Sequence, residues 1–227
     1  MRALDLLLCT VLACSAFGQV PSTTEQGHPR SLDAVVEQFD LTNGIFQDGV
    51  SELSLKNIAR LHLGLEEIIR DRMEDDPRAQ SPQFSMHLKS KTVREILDEL
   101  CQFDPRYAWS QDMATINIYP RITVADQSYL LNLWIDTLAI SDVPDPDQAL
   151  TPLWRKFPTQ QIGYAGPGLG RNSYAKGWTT VFERLTVRQF INRVAEHMGQ
   201  QTSWIWYGGK GERLFTFVMG GFHNGPK

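Results

Sequence analysis

Residues 92–109 read TVREILDELCQFDPRYAW, and residues 186–206 read TVRQFINRVAEHMGQQTSWIW. Both open on Thr-Val-Arg, run through one amphipathic segment of helical length, and close on two aromatics around a single residue. Each threonine is placed to cap a helix, and the residue three positions on, Glu95 or Gln189, completes a capping box. Val93, Ile96, Leu97 and Leu100 form one apolar stripe; Val187, Phe190, Ile191 and Val194 form the other. Asp104-Pro105 stops the first helix, because helical backbone is disfavoured in front of a proline ring. The spacing predicts two copies of one unit, in which a capped helix is covered by an aromatic-rich strand.

Working outward from the first copy, VVEQFDL (35–41) alternates like a strand and ends at Asn43-Gly44. Phe46, Val50, Leu53, Ile58 and Leu61 keep helical spacing, which predicts a helix over about 46–60. HLGLEEI (62–68) reads as a short apolar strand, 75–82 as a charged, proline-bounded loop, and QFSMHLK (83–89) as a half-buried strand. YAWSQ (107–111) and ATINIYP (114–120) predict a hairpin.

In the second copy SYLLNLWIDTLAI (128–140) reads as one long strand. DPDQALTPLWRKF (145–157) starts as a helix that Pro152 is expected to bend or end early. QIGYAGPGLGRNSYAKGW (161–178) is a glycine-rich loop with a short strand at its start. TTVFERL (179–185), SWIWYGG (203–209) and RLFTFVMGG (213–221) supply the remaining strands. The repeated order predicts an α+β fold of two small tandem modules, with short mixed β-sheets packed on paired helices. Module 1 spans 35–121; module 2 spans 122–227 and carries the glycine-rich insertion 163–177. Trp109 and Trp134 are expected in the cores.

The first eighteen residues, MRALDLLLCTVLACSAFG, carry one arginine near the start, an apolar run and then small residues. That is the pattern of a secretory signal peptide, too short to stay in a bilayer as a spanning helix. The expected location is periplasmic or secreted, with lipidation at Cys14 as the alternative, and 19–34 as a flexible leader. Of three cysteines only Cys101 lies beyond the signal, so no intrachain disulfide is expected and Cys101 reads as a small buried residue. The net charge of −4 gives no basic face for nucleic acid or anionic lipid. No second apolar stretch reaches membrane-spanning length.

The run FDLTNGIFQDGVSELSLKNIARLHLGLE followed by FSMHLKSKTVREILDELCQFDPRYAWSQDMATINIYP resembles the short N-terminal domain of secretins and TonB-dependent receptors. In that family a strand and helix precede a short strand, a further strand enters a Thr-x-x-x-x-Leu helix, and a strand pair closes the unit. Thr92 and Leu97 hold the Thr and Leu places, with Tyr107-Ala-Trp109 and Ile116-Asn-Ile118 as the closing pair. The resemblance covers about 35–121; a weaker copy over about 129–221 matches at Thr186 and Ile191. It implies a non-enzymatic periplasmic interaction module, with a protein partner in the cell envelope such as a secretin or outer-membrane complex. Partners would be recruited through sheet edges or the helix groove. The family's domain normally precedes a barrel or channel, and neither is read here.

Catalytic motifs are sparse. His28, His62, His87, His197 and His223 show no metal-ligand spacing, so no metal is expected, and His62 and His87 read as hydrogen-bonded strand residues. No G-x-S-x-G elbow occurs. Glu66 and Glu67 are adjacent on a strand, so they face opposite ways, and these acids read by default as solvated. The loop from Gly163 lacks the Gly-Lys-Ser/Thr ending of a phosphate cradle, and Pro167 removes an amide, so no cofactor is expected. Candidate partner-binding residues are Tyr164, Arg171, Tyr174 and Trp178 in that loop, with Trp206 and Tyr207 on the aromatic strand, because these types serve as interface anchors. Two rival readings stand beside the interaction module. One is a cell-wall or glycan-binding protein using the tryptophan strand and the loop; the other is a hydrolase whose site carries no recognisable motif.

Overall fold

The computed structural model describes residues 32–56, 61–67, 81–158, 162–164, 177–198, 202–208 and 213–219. The first repeat runs β1 (Val35–Gly44), α1 (Phe46–Lys56), β2 (His62–Glu67), β3 (Phe84–Thr92), α2 (Val93–Phe103), β4 (Tyr107–Asp112) and β5 (Thr115–Pro120). The second runs β6 (Trp134–Val143), α3 (Pro146–Lys156), β7 (Ile162–Tyr164), β8 (Trp178–Thr186), α4 (Val187–His197), β9 (Thr202–Gly208) and β10 (Arg213–Met219). The fold is α+β with small sheets. The signal, most of the leader, residues 57–60 of the expected first helix and the loop residues 165–176 lie outside the described residues.

Capping builds both Thr-Val-Arg helices. The Thr92 hydroxyl accepts from the Glu95 N–H while the Glu95 carboxylate accepts from the Thr92 N–H at 2.8 Å. Thr186 and Gln189 make the same reciprocal pair. Such a cap contributes about 1 kcal/mol. Below the caps, Val93, Ile96, Leu97 and Leu100 are buried against Phe39, Phe46 and Val50 in one core. Val187, Phe190, Ile191 and Val194 are buried against Leu138, Leu150 and Leu153 in another. Phe46 stacks flat on Tyr107, with ring centroids 4.1 Å apart. The helices of the first pair approach closely at Gly49, where a Cβ would stand 2.4 Å from Leu100 Cδ2.

The repetition extends to backbone detail. β1 pairs antiparallel with β3 and β6 with β8, and each first strand shows the same alternation of buried and exposed residues. Asn43 and Asp142 both take positive φ at the irregularity that ends these strands, and Ser90 and Arg184 both do so before the helices. The Asn43 N–H donates to Ser85 Oγ as the Asp142 N–H donates to Thr179 Oγ1. Val93 N–H reaches the Ala34 carbonyl as Val187 N–H reaches that of Leu133.

The remaining strands of both repeats join in one six-stranded sheet ordered β4-β5-β2-β9-β10-β7. β2 runs parallel to β5 and to β9, β7 runs parallel to β10, and the two hairpins are antiparallel. So β5, β2 and β9 point one way and β4, β10 and β7 the other. Leu63, Leu65, Ile116, Ile118 and Ile205 belong to the first core, whereas Trp204, Trp206, Phe215 and Phe217 belong to the second. Neighbouring strand residues face opposite sides, so the two helix pairs lie on opposite faces of the sheet. A half-turn about a line across the strands, with an advance of three strands, carries the first repeat's element pattern onto the second's.

Three local expectations need correction. The expected long strand at 128–140 opens with a 3-10 turn, Leu130–Asn132, which buries Leu130 and Leu131 before β6 starts at Trp134. Helix α3 passes through Pro152 to Lys156. Burial of Leu150 and Leu153, on either side of the proline, outweighs the one amide bond that the ring removes. Trp134 is 56% exposed, because its place at the start of β6 puts it on the outer side of the strand; Trp109 is partly buried against the first core.

Glu95 differs chemically from its counterpart Gln189. Hydrogen bonds from Lys91 first, and then from Thr92, hold its carboxyl down at about 2. The native state therefore favours the ionised form, and the stability this contributes is complete above pH 4.5, the ordinary value, and is lost as pH falls towards 2. Glu95→Gln keeps the cap and should remove that acid-side slope; urea unfolding across this pH range compares the two proteins.

Candidate functional site

β2 is the strand on which the repeats meet, and its chemistry follows from having neighbours on both edges. Gly64 lies opposite Trp204 in the β2–β9 register, and a Cβ on it would stand 2.3 Å from Trp204 Cε2 and Cζ2. The glycine leaves the space that the indole fills. Glu66, next to Trp206 in the same register, is 0% exposed. Arg188, the arginine of the second Thr-Val-Arg, is 17% exposed and donates from Nε to Glu66 Oε1 at 2.5 Å. Its Nη1 donates to Asn132 Oδ1 at 2.8 Å, and its guanidinium lies 5.4 Å from the centroid of the Tyr119 ring.

Burial pushes the Glu66 carboxyl above the usual carboxylate range, and the Arg188 charge opposes that shift. The Tyr129 hydroxyl faces Glu66 and the Trp206 indole; burial first, and then the nearby carboxylate, push it well above an ordinary phenol. The pair thus joins a first-repeat strand to a second-repeat helix inside the protein. A desolvated ion pair adds little net stability over an apolar filling, but removing one partner strands the other.

A second polar cluster extends this seam along α4. Asn192 is buried, accepts from Trp204 Nε1 at 3.0 Å and donates to Asp112 Oδ2 at 3.0 Å. Arg193 bridges Asp112 and Glu196, each at 3.2 Å. Glu196 accepts from the Ala114 N–H at 3.0 Å and from Thr115 Oγ1 at 3.1 Å, gripping the β4–β5 turn. The His62 ring lies 2.8 Å, through Nδ1, from the Thr202 carbonyl oxygen. These groups join the two repeats, while Glu66 Oε2 and Trp206 Nε1 are buried with no hydrogen-bond partner among the described residues.

The expected anchors fare unequally. Trp206 is 1% exposed inside the second core, so an exposed partner-binding role is corrected to a packing one: β9 is a central strand covered on both faces. Trp178 is half-buried, stacked on the His197 ring at 3.8 Å and edge-on to Phe182. Burial lowers the His197 pKa. Tyr164 and Tyr207 are placed by backbone only, on β7 and β9; Arg171 and Tyr174 lie outside the described residues. Glu66 is no solvated acid. Its signal was an acid directly after the apolar Leu63-Gly64-Leu65, with an arginine in the repeated motif to meet it. Among the described residues no group of three or more His, Cys, Asp or Glu could hold a metal, and no helix is long and apolar enough to cross a membrane. Cys101 is buried, and burial pushes its thiol up to about 11.

The sheet ends at β4 and β7, beyond which no strand pairs among the described residues. Asp112 and Thr115 flank a two-residue turn and close the hairpin, so the N–H groups of alternate residues, Gln111 and Trp109, point away from β5. The Tyr107 N–H obeys the same alternation and bonds outward to the Asp104 carbonyl. Ser110 and Gln111 are exposed. Compared with protein-family models, curated proteins and solved structures, the chain matches none of them.

Two substitutions probe the seam. Arg188→Met should cost about 3–5 kcal/mol by stranding Glu66. Protonation relieves the stranded carboxyl, so the deficit should be largest at high pH and shrink as pH falls towards 4.5, Glu66's ordinary value. The double variant with Glu66→Gln should recover much of the loss in denaturant unfolding. Gly64→Ala should cost about 1–3 kcal/mol by forcing Trp204 from its seat, read as a lowered melting temperature and altered tryptophan fluorescence.

Proposed function

We propose that this protein is a non-enzymatic interaction module of the cell envelope, similar to the short N-terminal domains of secretins and TonB-dependent receptors, that binds a protein partner by strand addition. The observation that carries the reading is the open edge of β4, where the N–H groups of Trp109 and Gln111 point outward beside the exposed Ser110. An extended segment of another chain can complete such an edge with backbone hydrogen bonds. Support for the family resemblance comes from the element order, since β1-α1-β2-β3-α2-β4-β5 is the order that it implies. Export rests on the signal-like pattern of residues 1–18.

The rigid seam suits a scaffold, because both edges are held at fixed positions on one sheet. Trp204 and Trp206, on which the glycan-binding alternative draws, are both core residues; most of its glycine-rich loop lies outside the described residues. A photoreactive residue at Ser110, introduced into the protein in its native cell, should crosslink a defined protein, and the crosslink should disappear when Gln111→Pro removes an outward amide. The same group at Glu37, an exposed residue of β1, serves as control. Equal labelling from both sites, or none from Ser110, would reject strand addition at β4.

A further inference from the structure

We propose that the chain assembles head to tail with further copies of itself, β7 of one copy accepting β4 of the next in parallel, so that the six-stranded sheet continues from molecule to molecule. The inference rests on the strand-addition reading above and names the partner as a second copy.

The structure already contains one such joint. β2 ends the β4-β5-β2 group of the first repeat, and β9 begins the β9-β10-β7 group of the second. Their parallel pairing brings the trailing edge of one repeat to the leading edge of the next, with Gly64 opposite Trp204 and Leu65 opposite Ile205. Because the two groups have the same left-to-right order, the joint is heterologous and uses up only one edge of each kind. The other two are β4, a leading edge, and β7, a trailing edge, and neither has a strand partner among the described residues.

Directions agree. β4 and β7 both run against β2, so a second molecule in the same orientation presents β4 parallel to β7, as β9 lies to β2. Helix pairs would continue to alternate between the two faces.

The register can also be derived. Gly64 lies beside Asn117, whose hairpin partner is Ser110; Gly163 lies beside Leu214, whose partner is Tyr207. Three residues before Ser110 and Tyr207 stand Tyr107 and Trp204, the first aromatic of each echoed pair. Gly163 therefore takes the part of Gly64, and the joint pairs Gly163 with Tyr107 and Tyr164 with Ala108. This contact is weaker than the internal one. Arg94, at Arg188's place in the first repeat, lies over Trp109, 5.7 Å from the ring centroid, and its carboxylate neighbour is the exposed Asp33.

The purified full chain tests this by sedimentation velocity over a wide concentration range, and by photo-crosslinking from position 108 in a mixture of isotopically light and heavy protein. Expected are concentration-dependent oligomers that grow beyond the dimer, and light-to-heavy crosslinks from 108 into 162–164, the residues that this register sets beside it. Trp109→Pro, which removes the outward amide that this register aims at the Tyr164 carbonyl, should weaken association about tenfold or more, the loss of a backbone bond or two, while Trp109→Phe leaves it unchanged. The crosslink needs no proline, so it decides the matter even if that variant folds poorly. A monomer at every concentration, or crosslinks joining β4 to β4, overturns the proposal. A monomer in solution whose Ser110 reporter captures a different chain in cells overturns self-assembly and leaves strand addition standing. Oligomers in solution with no foreign chain captured support self-assembly and reject the foreign partner.

Discussion

The parallel pairing of β2 with β9 is the constraint on which the rest of the molecule depends. It converts two three-stranded groups into one sheet, puts the helix pairs on opposite faces, and turns what would be an edge strand into a central one. Strands covered on both faces read as continuous apolar runs, and β2 does so only over Leu63-Gly64-Leu65. Glu66, fully buried in that strand, cannot be solvated there and is met by Arg188. The ion pair is thus a consequence of sheet continuity, and once formed it ties the continuity to one register. A slip by one residue would turn Glu66 to the face that carries Leu65 and Ile205, where apolar side chains surround it.

The seam also accounts for the chemistry of the molecule. A buried carboxylate raised by burial, beside a phenol and an arginine, is a combination that active sites use. Here the arginine also bonds Asn132 and lies over Tyr119, the carboxylate keeps Oε2 without a hydrogen-bond partner, and the neighbouring cluster on α4 closes on the β4–β5 turn. Structural ion-pair networks perturb acid strengths as catalytic ones do. In this seam the ion pairs join the repeats, Arg188 to Glu66 and Arg193 to Asp112.

Much of the fold was legible because it is encoded locally. Capping boxes mark the starts of α2 and α4 within four residues, period-two alternation marks β3 and β5, and the echo of Thr92–Trp109 in Thr186–Trp206 announces the duplication. What escaped local reading was decided by distant residues. Leu130 and Leu131 look like strand in SYLLNLW, but both are drawn into a core by the turn before β6. Pro152 should end a helix on its own account, yet Leu150 and Leu153 are buried on either side of it. Trp134 has the composition of a core residue and the position of an exposed one. The placement of Trp206 and Glu66 depends on a partner strand about 140 residues away in sequence, as the pairing of Glu66 with Trp206 shows. No window-based pattern contains that information.

The two arginines of the repeated Thr-Val-Arg carry a last consequence. They hold the same place in the two repeats, yet Arg94 rides on an indole while Arg188 neutralises a carboxylate contributed by the other half. Neither half can return to an independent existence without first losing a charge that only the union makes tolerable.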